Sequence, residues 1–153
     1  MAKEQEDTIQ EHWLNSELPG INCLVFSDGS ATLLNIYTVN DNAIKKQYAF
    51  PVCDTTIESL YIYNDDIWTE IEKSPNDLLL AENVRIVCGE GGMGNEGFVA
   101  KIKGGHLVWA LFSTESNPFI RLEATETSVK AYSNTSVCYE IDIEDPRQIR
   151  IIV

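Results

Sequence analysis

Hydrophobic and polar residues alternate with a period of two along most of the chain beyond residue 20, and glycine or asparagine turn signals separate the alternating runs. This pattern predicts many short antiparallel strands. We therefore expect a mainly β fold, in which an antiparallel meander forms a sandwich or a barrel-like sheet. We treat residues 1–153 as a single domain, with an N-terminal helical segment at 1–20 and the β meander at 21–153.

The first segment carries a helical pattern instead. Ile9 and Trp13 are four residues apart, which places them on one face of a short helix predicted from Thr8 to Leu14. The sequence Leu18-Pro19-Gly20 is expected to end this helical segment.

Two hairpins are predicted from their turns. Asp28-Gly29 separates a strand at 21–27 from one at 31–39, and Gly104-Gly105 separates 98–103 from 106–113. Both dipeptides allow the positive φ angles that tight hairpin turns require. The run 107–112 is apolar on both faces, which is typical of a central strand covered on both sides.

Other segments give weaker patterns. Residues 137–143 predict a strand, and Ile149, Ile151 and Val153 predict the closing one. Residues 60–63 are expected to be extended. Residues 66–71 fit either a short helix capped by Asp66 or another strand.

The four cysteines form no C-x-x-C pair, and the chain has two histidines, so the usual zinc and redox patterns are absent. We expect all four cysteines to be buried and reduced. The N-terminal residues contain no apolar signal segment, which favours a cytoplasmic location. We expect neither a metal nor another cofactor.

The composition includes 24 acidic and 11 basic residues, a formal net charge of -13. Such a charge repels phosphate backbones and anionic lipid headgroups. No nucleic-acid partner and no membrane partner are therefore expected.

The glycine-rich run 89–97 contains the spacing G-x-G-x-x-G, but a β pattern follows it where a dinucleotide site needs a helix. Glu90 and Glu96 would also repel phosphate. We expect a hairpin or bulged loop here. Neither histidine is placed for nucleophilic catalysis, because His12 lies in the predicted helix and His106 follows a turn, so we expect no enzyme activity and no catalytic residues.

The acids concentrate in two places, which we predict to be the binding surface for a basic protein. The first place is the segment 54–77, which contains seven acidic residues and one basic residue, Lys73. The second is the predicted strand at 137–143, which places alternate acids on one face. Alternatively, the acids of the strand at 137–143 could form a solvated face of the sheet, on which Arg147 or Arg150 pairs with them. The candidate contact residues are Asp65, Asp66, Trp68, Glu70, Glu72, Glu140, Asp142 and Glu144.

The glycine loop from Cys88 to Ala100, the strand Leu107–Phe112 with Trp109, and the Asn117-Pro118 turn together resemble a pattern in small acidic bacterial proteins. Several of these resemble immunity proteins of contact-dependent or polymorphic toxin systems. The resemblance spans about residues 88–119 and implies a non-enzymatic inhibitor that binds a cognate toxin. A nuclease toxin fits best, because its cationic cleft would attract carboxylates.

The alternative function is a small-molecule or carbohydrate-binding β module that uses Trp13, Trp68 or Trp109 as a stacking surface. Binding by such a module would barely depend on ionic strength, whereas binding of a basic toxin would weaken as salt is added.

Overall fold

Two antiparallel β-sheets pack face to face, and a layer with two helices covers part of the larger sheet. The computed structural model describes the backbone of residues 2–152 and the side chains of residues 8–40 and 42–152. The elements are α1 (Ala2–Leu14), β1 (Glu17–Pro19), β2 (Cys23–Phe26), β3 (Ser30–Asp41), β4 (Ile44–Thr56), α2 (Ile57–Tyr63), β5 (Trp68–Glu70), β6 (Glu72–Lys73), β7 (Leu78–Ala81), β8 (Val84–Glu90), β9 (Gly97–Lys103), β10 (His106–Ser113), β11 (Phe119–Ala124), β12 (Ser128–Ser133), β13 (Cys138–Asp142) and β14 (Ile149–Ile152).

The larger sheet has eight strands in the order β4-β3-β2-β10-β9-β8-β6, with β7 also paired to β8. Strands β2 to β4 and strands β8 to β10 each form a run of consecutive antiparallel neighbours. The two runs join where β2 pairs with β10, so that Phe26 lies opposite Trp109. The smaller sheet is the meander β11-β12-β13-β14, and β1 pairs with β5 as a separate two-stranded sheet. The predicted mainly β, antiparallel sandwich is confirmed.

The core between the two sheets contains residues from both of them. Trp109 and Ile86 from the larger sheet pack with Phe119 and Tyr139 from the smaller one. The indole Nε1 of Trp109 donates a hydrogen bond to the carbonyl oxygen of Ile143 at 2.9 Å. A buried aromatic side chain therefore ties the two sheets together by packing and by a hydrogen bond.

A second core lies on the opposite face of the larger sheet, beneath α1, α2 and β1. Ile9 and Trp13 of α1 and Ile57 of α2 pack there against Phe98 and Phe112. The amide of Gln10 adds two hydrogen bonds to the backbone of β10, both of 2.9 Å. The helical layer is thus anchored to the central strand, and β10 is covered on both faces as its sequence predicts.

Both predicted hairpins are confirmed. Strands β2 and β3 pair around Asp28-Gly29, and β9 and β10 pair around Gly104-Gly105. Gly29, Gly104 and Gly105 all have positive φ angles. The run 89–97 connects the paired strands β8 and β9, so it is a hairpin loop.

Several local predictions need correction. Residues 60–63 are helical, because Thr56 caps α2 by accepting a hydrogen bond from the amide of Ser59 at 3.1 Å. Of the two structures that fit residues 66–71, the strand is the one present, as β5, and Asp66 caps no helix. Helix α1 begins six residues before Thr8, and strand β1 follows it within the segment predicted to be helical. Strand β14 contains Ile149 and Ile151, while Val153 lies outside the described residues.

The prediction that all cysteines are buried is wrong for Cys53. This residue lies on β4, the edge strand of the larger sheet, and is exposed, whereas Cys23, Cys88 and Cys138 are buried. Burial raises the pKa of Cys23 and of Cys88 to about 12, because the interior disfavours the charged thiolate.

We predict that iodoacetamide at about pH 8 modifies Cys53 and leaves Cys23 and Cys88 unmodified in the folded protein. A pKa of about 12 against 9.0 lowers the thiolate fraction at this pH by about a thousandfold, and burial also blocks access. Peptide mass spectrometry after timed labelling would measure this selectivity, with urea-unfolded protein as the control in which all four cysteines react. Equal labelling of Cys23 and Cys53 in folded protein would contradict the prediction.

Candidate functional site

An open groove lies where the β5–β6 segment runs beside β8 and the glycine loop. Its volume is about 470 Å³. One wall carries Glu70 and Glu72, and the other carries Glu90 and residues 91–94. The buried side chain of Ile71 holds the segment between the two glutamates against the second core. Three carboxylates therefore line a single groove, which we call the acidic groove.

Two pairs of glutamates are directly opposed across antiparallel strands, one of them within this groove and the other sharing Glu70 with it. Glu72 on β6 lies directly opposite Glu90 on β8, and Glu70 on β5 lies directly opposite Glu17 on β1. Residues in this relation have Cβ atoms about 5 Å apart, and like charges placed so destabilise the pairing. By this rule the two glutamate pairs contribute unfavourably to the pairing of their strands.

Among the side chains that the structure describes, no lysine or arginine forms an ion pair with Glu70, Glu72 or Glu90. Lys73 is adjacent to Glu72 in sequence, but its Nζ lies 4.6 Å from the centre of the Trp13 ring. Glu17 contacts Nδ1 of His12 at 2.8 Å. The three carboxylates of the acidic groove are therefore open to a cation from outside the chain.

The glycine loop beside the groove is held by Glu96, a residue that is only 8% exposed. Its Oε1 accepts a hydrogen bond from the amide of Met93 at 3.0 Å, which closes the loop on itself. Gly92 and Gly94 are exposed at the rim. Without side chains at these positions, the backbone of a partner can approach the loop closely.

The structure brings together only two of the predicted contact residues from the region 54–77. Glu70 and Glu72 line the acidic groove, whereas Asp65 and Asp66 are exposed in the connection between α2 and β5 and do not line it. Trp68 is half-buried. Its ring stacks on His12 at a centroid distance of 3.6 Å, and its Nε1 donates to the hydroxyl of Tyr61. Trp68 therefore holds β5 against α1 and α2.

The predicted acids of β13 lie on the smaller sheet and interact within the molecule. Glu140 pairs with Arg150 at 2.6 Å, the interaction expected for a solvated and internally paired face. Asp142 accepts hydrogen bonds from the amides of residues 144 and 145. Glu144 lies beyond the end of β13, with Oε1 3.7 Å from the ammonium of Lys101. These three acids thus have partners in the chain.

The tryptophans offer little stacking surface to a ligand. Trp13 is 3% exposed and Trp109 is 2% exposed, because each belongs to one of the two cores. One face of the Trp68 ring is covered by His12. A binding module of the alternative kind would have to use other aromatic rings.

No protein-family model, curated protein or solved structure matches the chain. Among the described residues, no helix is long and apolar enough to span a membrane. The described part of the chain also brings together no group of three or more His, Cys, Asp and Glu side chains that could hold a metal ion. The candidate site therefore has to be interpreted from its own geometry and charge.

Glu90 is a groove carboxylate that is not among the contact residues predicted from the sequence. The sequence shows its charge and its glycine neighbours, but its position opposite Glu72 depends on the pairing of β6 with β8. The signal present in the sequence is its place at the start of a glycine-rich hairpin loop, because binding residues are over-represented on loops.

Proposed function

We propose that this protein is a non-enzymatic inhibitor that binds a cationic protein through the acidic groove. The proposed partner is a nuclease toxin, bound in the cytoplasm in the manner of the immunity proteins that the sequence resembles. The observation that carries the proposal is the directly opposed pair Glu72 and Glu90, which has no cationic partner among the described side chains.

Electrostatics support a basic partner in two ways. The net charge of -13 would steer a cationic surface towards the protein and raise the association rate. Once the partner is docked, an arginine or lysine between Glu72 and Glu90 would form charge-assisted hydrogen bonds and remove the repulsion between the two carboxylates. Folding alone does not favour this glutamate pair, whereas binding a cation does.

The proposal is tested by neutralising the groove. In the triple variant Glu70→Gln, Glu72→Gln and Glu90→Gln, we expect affinity for the toxin to fall by at least about tenfold, while the folded state is unchanged or more stable by about 0.2–1 kcal/mol. The test partner is the protein encoded immediately upstream, which is expected to be toxic when expressed alone. Isothermal titration calorimetry would give the affinity and urea unfolding the stability.

A matched control distinguishes the effect of losing charge in the groove from the effect of lowering the net charge of the protein. The variant Glu82→Gln, Glu115→Gln and Glu126→Gln removes three exposed carboxylates outside the groove and changes the net charge equally. We expect this control to bind within about threefold of the wild type, because screened charges far from a contact act weakly. Equal weakening by both triple variants, or wild-type binding that is insensitive to salt, would contradict the proposal. A neighbour that is not toxic would remove the nuclease-toxin assignment.

A further inference from the structure

Strands β3 and β4 extend beyond the helical layer, and one face of their hairpin is left uncovered. The pairing of Tyr37 with Tyr48 and the strand alternation place five large apolar side chains on this face. They are between 36% and 56% exposed, and they are Tyr37, Val39, Ile44, Tyr48 and Phe50. We call this face the hairpin shelf. The core beneath the helices ends at Ala31 and Leu33, before the shelf begins.

The opposite face of the same hairpin is buried. Leu34, Ile36 and Ala49 pack in the core between the two sheets, and Gln47 accepts a hydrogen bond from the hydroxyl of Tyr139 at 2.7 Å. The hairpin is therefore held firmly against the molecule from one side. The shelf is a fixed apolar surface on a supported sheet.

The aromatic rings of the shelf pack on one another. The ring centroids of Tyr37 and Tyr48 are 5.4 Å apart, and the planes of Tyr48 and Phe50 differ by 7°. Val39 and Ile44 extend the surface towards the hairpin turn. These aliphatic side chains enlarge the apolar area beyond the three rings, and a continuous apolar area of this kind is typical of the centre of a protein interface.

Charge is distributed unusually along this hairpin. Residues 30–40 and 44–53 contain no aspartate or glutamate, although the chain has 24 acids. The register places Lys46 opposite Val39 and Asp41 opposite Ile44, so one basic and one acidic residue lie at the turn end of the shelf. A basic partner would gain nothing here from electrostatics. A second copy of the chain, at -13, needs a surface with few acids for close approach. The shelf is such a surface, because its register positions include one acid, Asp41 at the turn, and one base, Lys46.

The exposed area of the shelf is about half of what each partner buries in a standard interface. Five large apolar side chains exposed to this extent present roughly 400–500 Å². A standard interface buries about 800 Å² on each partner, of which about 65% is apolar in homodimers. The shelf therefore supplies most of the apolar area for one side of such an interface, and polar residues around it would form the rim.

The edge of the sheet is poorly suited to pairing with another chain. Pro51 on the edge strand β4 has no N–H to donate, the register shifts beside it, and two lysines lie near the turn. Arg147 also contacts Asp54 at 3.5 Å near the other end of β4. Association is therefore expected through the face of the hairpin and not through its edge.

From these observations we propose that the hairpin shelf is the contact surface of a homodimer, in which the shelf of one copy packs face to face on the shelf of a second copy. Both copies use the same surface, as a two-fold axis requires, and two apolar sheet faces pack about 10 Å apart. The surface is separate from the acidic groove, so a dimer leaves both grooves open.

Sedimentation equilibrium tests the proposal with the wild-type chain. We expect a mass twice the 17.2 kDa of the chain at about 100 µM protein, with a dissociation constant of about 1 µM or tighter. Added salt should strengthen the dimer, because it screens repulsion between two chains of charge -13. This is opposite to the salt effect expected for toxin binding. A monomer at this concentration in high salt would overturn the proposal.

Substitutions locate the contact. Tyr48→Lys together with Phe50→Lys should weaken dimerisation by at least about a hundredfold, since two charges would be buried in the interface. The matched control is Ile62→Lys together with Leu79→Lys, which places the same charges at apolar residues that are 78% and 59% exposed outside the shelf. Circular dichroism would confirm folding of each variant. Ile44→Lys, at a position 56% exposed near the turn, gives a second shelf variant should the double variant unfold. Dimers of equal strength in shelf and control variants would refute the proposed surface.

Discussion

Replacing Trp109 with alanine is expected to lower the free energy of unfolding by roughly 3–5 kcal/mol. The side chain is 2% exposed in the core between the two sheets. Its removal leaves a cavity that the paired strands on either side cannot close, and it leaves the carbonyl oxygen of Ile143 without the indole donor. Since a domain of this size has about 5–15 kcal/mol of stability, the loss is a large fraction of the total.

Urea unfolding followed by circular dichroism would measure this effect as a lower midpoint with an unchanged slope. The variant Trp109→Phe separates the contribution of packing from that of the hydrogen bond. Phenylalanine keeps most of the ring packing but has no N–H to donate to Ile143. We expect this variant to be destabilised by about 1–3 kcal/mol, less than the alanine variant. A loss below about 1 kcal/mol for Trp109→Ala would show that the two sheets do not depend on this side chain.

Replacing Gly89 with alanine is the second change with a large expected effect. A Cβ atom at this position would lie 2.0 Å from the carbonyl oxygen of Glu72 and 2.8 Å from a ring carbon of Phe98. Neither the backbone of β6 nor a fully buried ring can move away without breaking other contacts. We expect a loss of about 3 kcal/mol or more, at the upper end of the range for overpacked cores.

Gly94→Ala is the matched control for this substitution, measured by the same urea unfolding. A Cβ atom at Gly94 would meet no atom within 4 Å, so we expect a change within about 0.5 kcal/mol of zero. Similar stabilities for the two alanine variants would mean that β6 does not press against β8 as closely as described. Because β6 carries Glu72, Gly89→Ala should also displace one wall of the acidic groove.

The sequence predicts features whose causes are local. The turns Asp28-Gly29 and Gly104-Gly105 specify their hairpins through backbone conformation alone, and both hairpins are present. Helix α2 was missed although its signal is also local. The cap at Thr56 is visible in the sequence, but a helix of seven residues has too short a pattern to distinguish it from a strand.

Features that depend on strand order could not be predicted. Cys53 is exposed because β4 is an edge strand, and Glu90 meets Glu72 because β6 pairs with β8. The excess of acids between residues 54 and 77 was visible in the sequence, but charge counts do not show which acids have partners. The ion pair of Glu140 with Arg150 and the open carboxylates of Glu70 and Glu72 become distinct only in three dimensions.

The pairing of β2 with β10 has a consequence for how the chain acquires its structure during synthesis. Strand β2 leaves the ribosome early, yet its pairing partners in β10 follow more than eighty residues later. At typical translation rates this interval is roughly 5–15 s. Throughout it the hydrogen-bonding edge of Cys23–Phe26 is unpaired, so a newly made chain is most exposed to aggregation before Trp109 emerges.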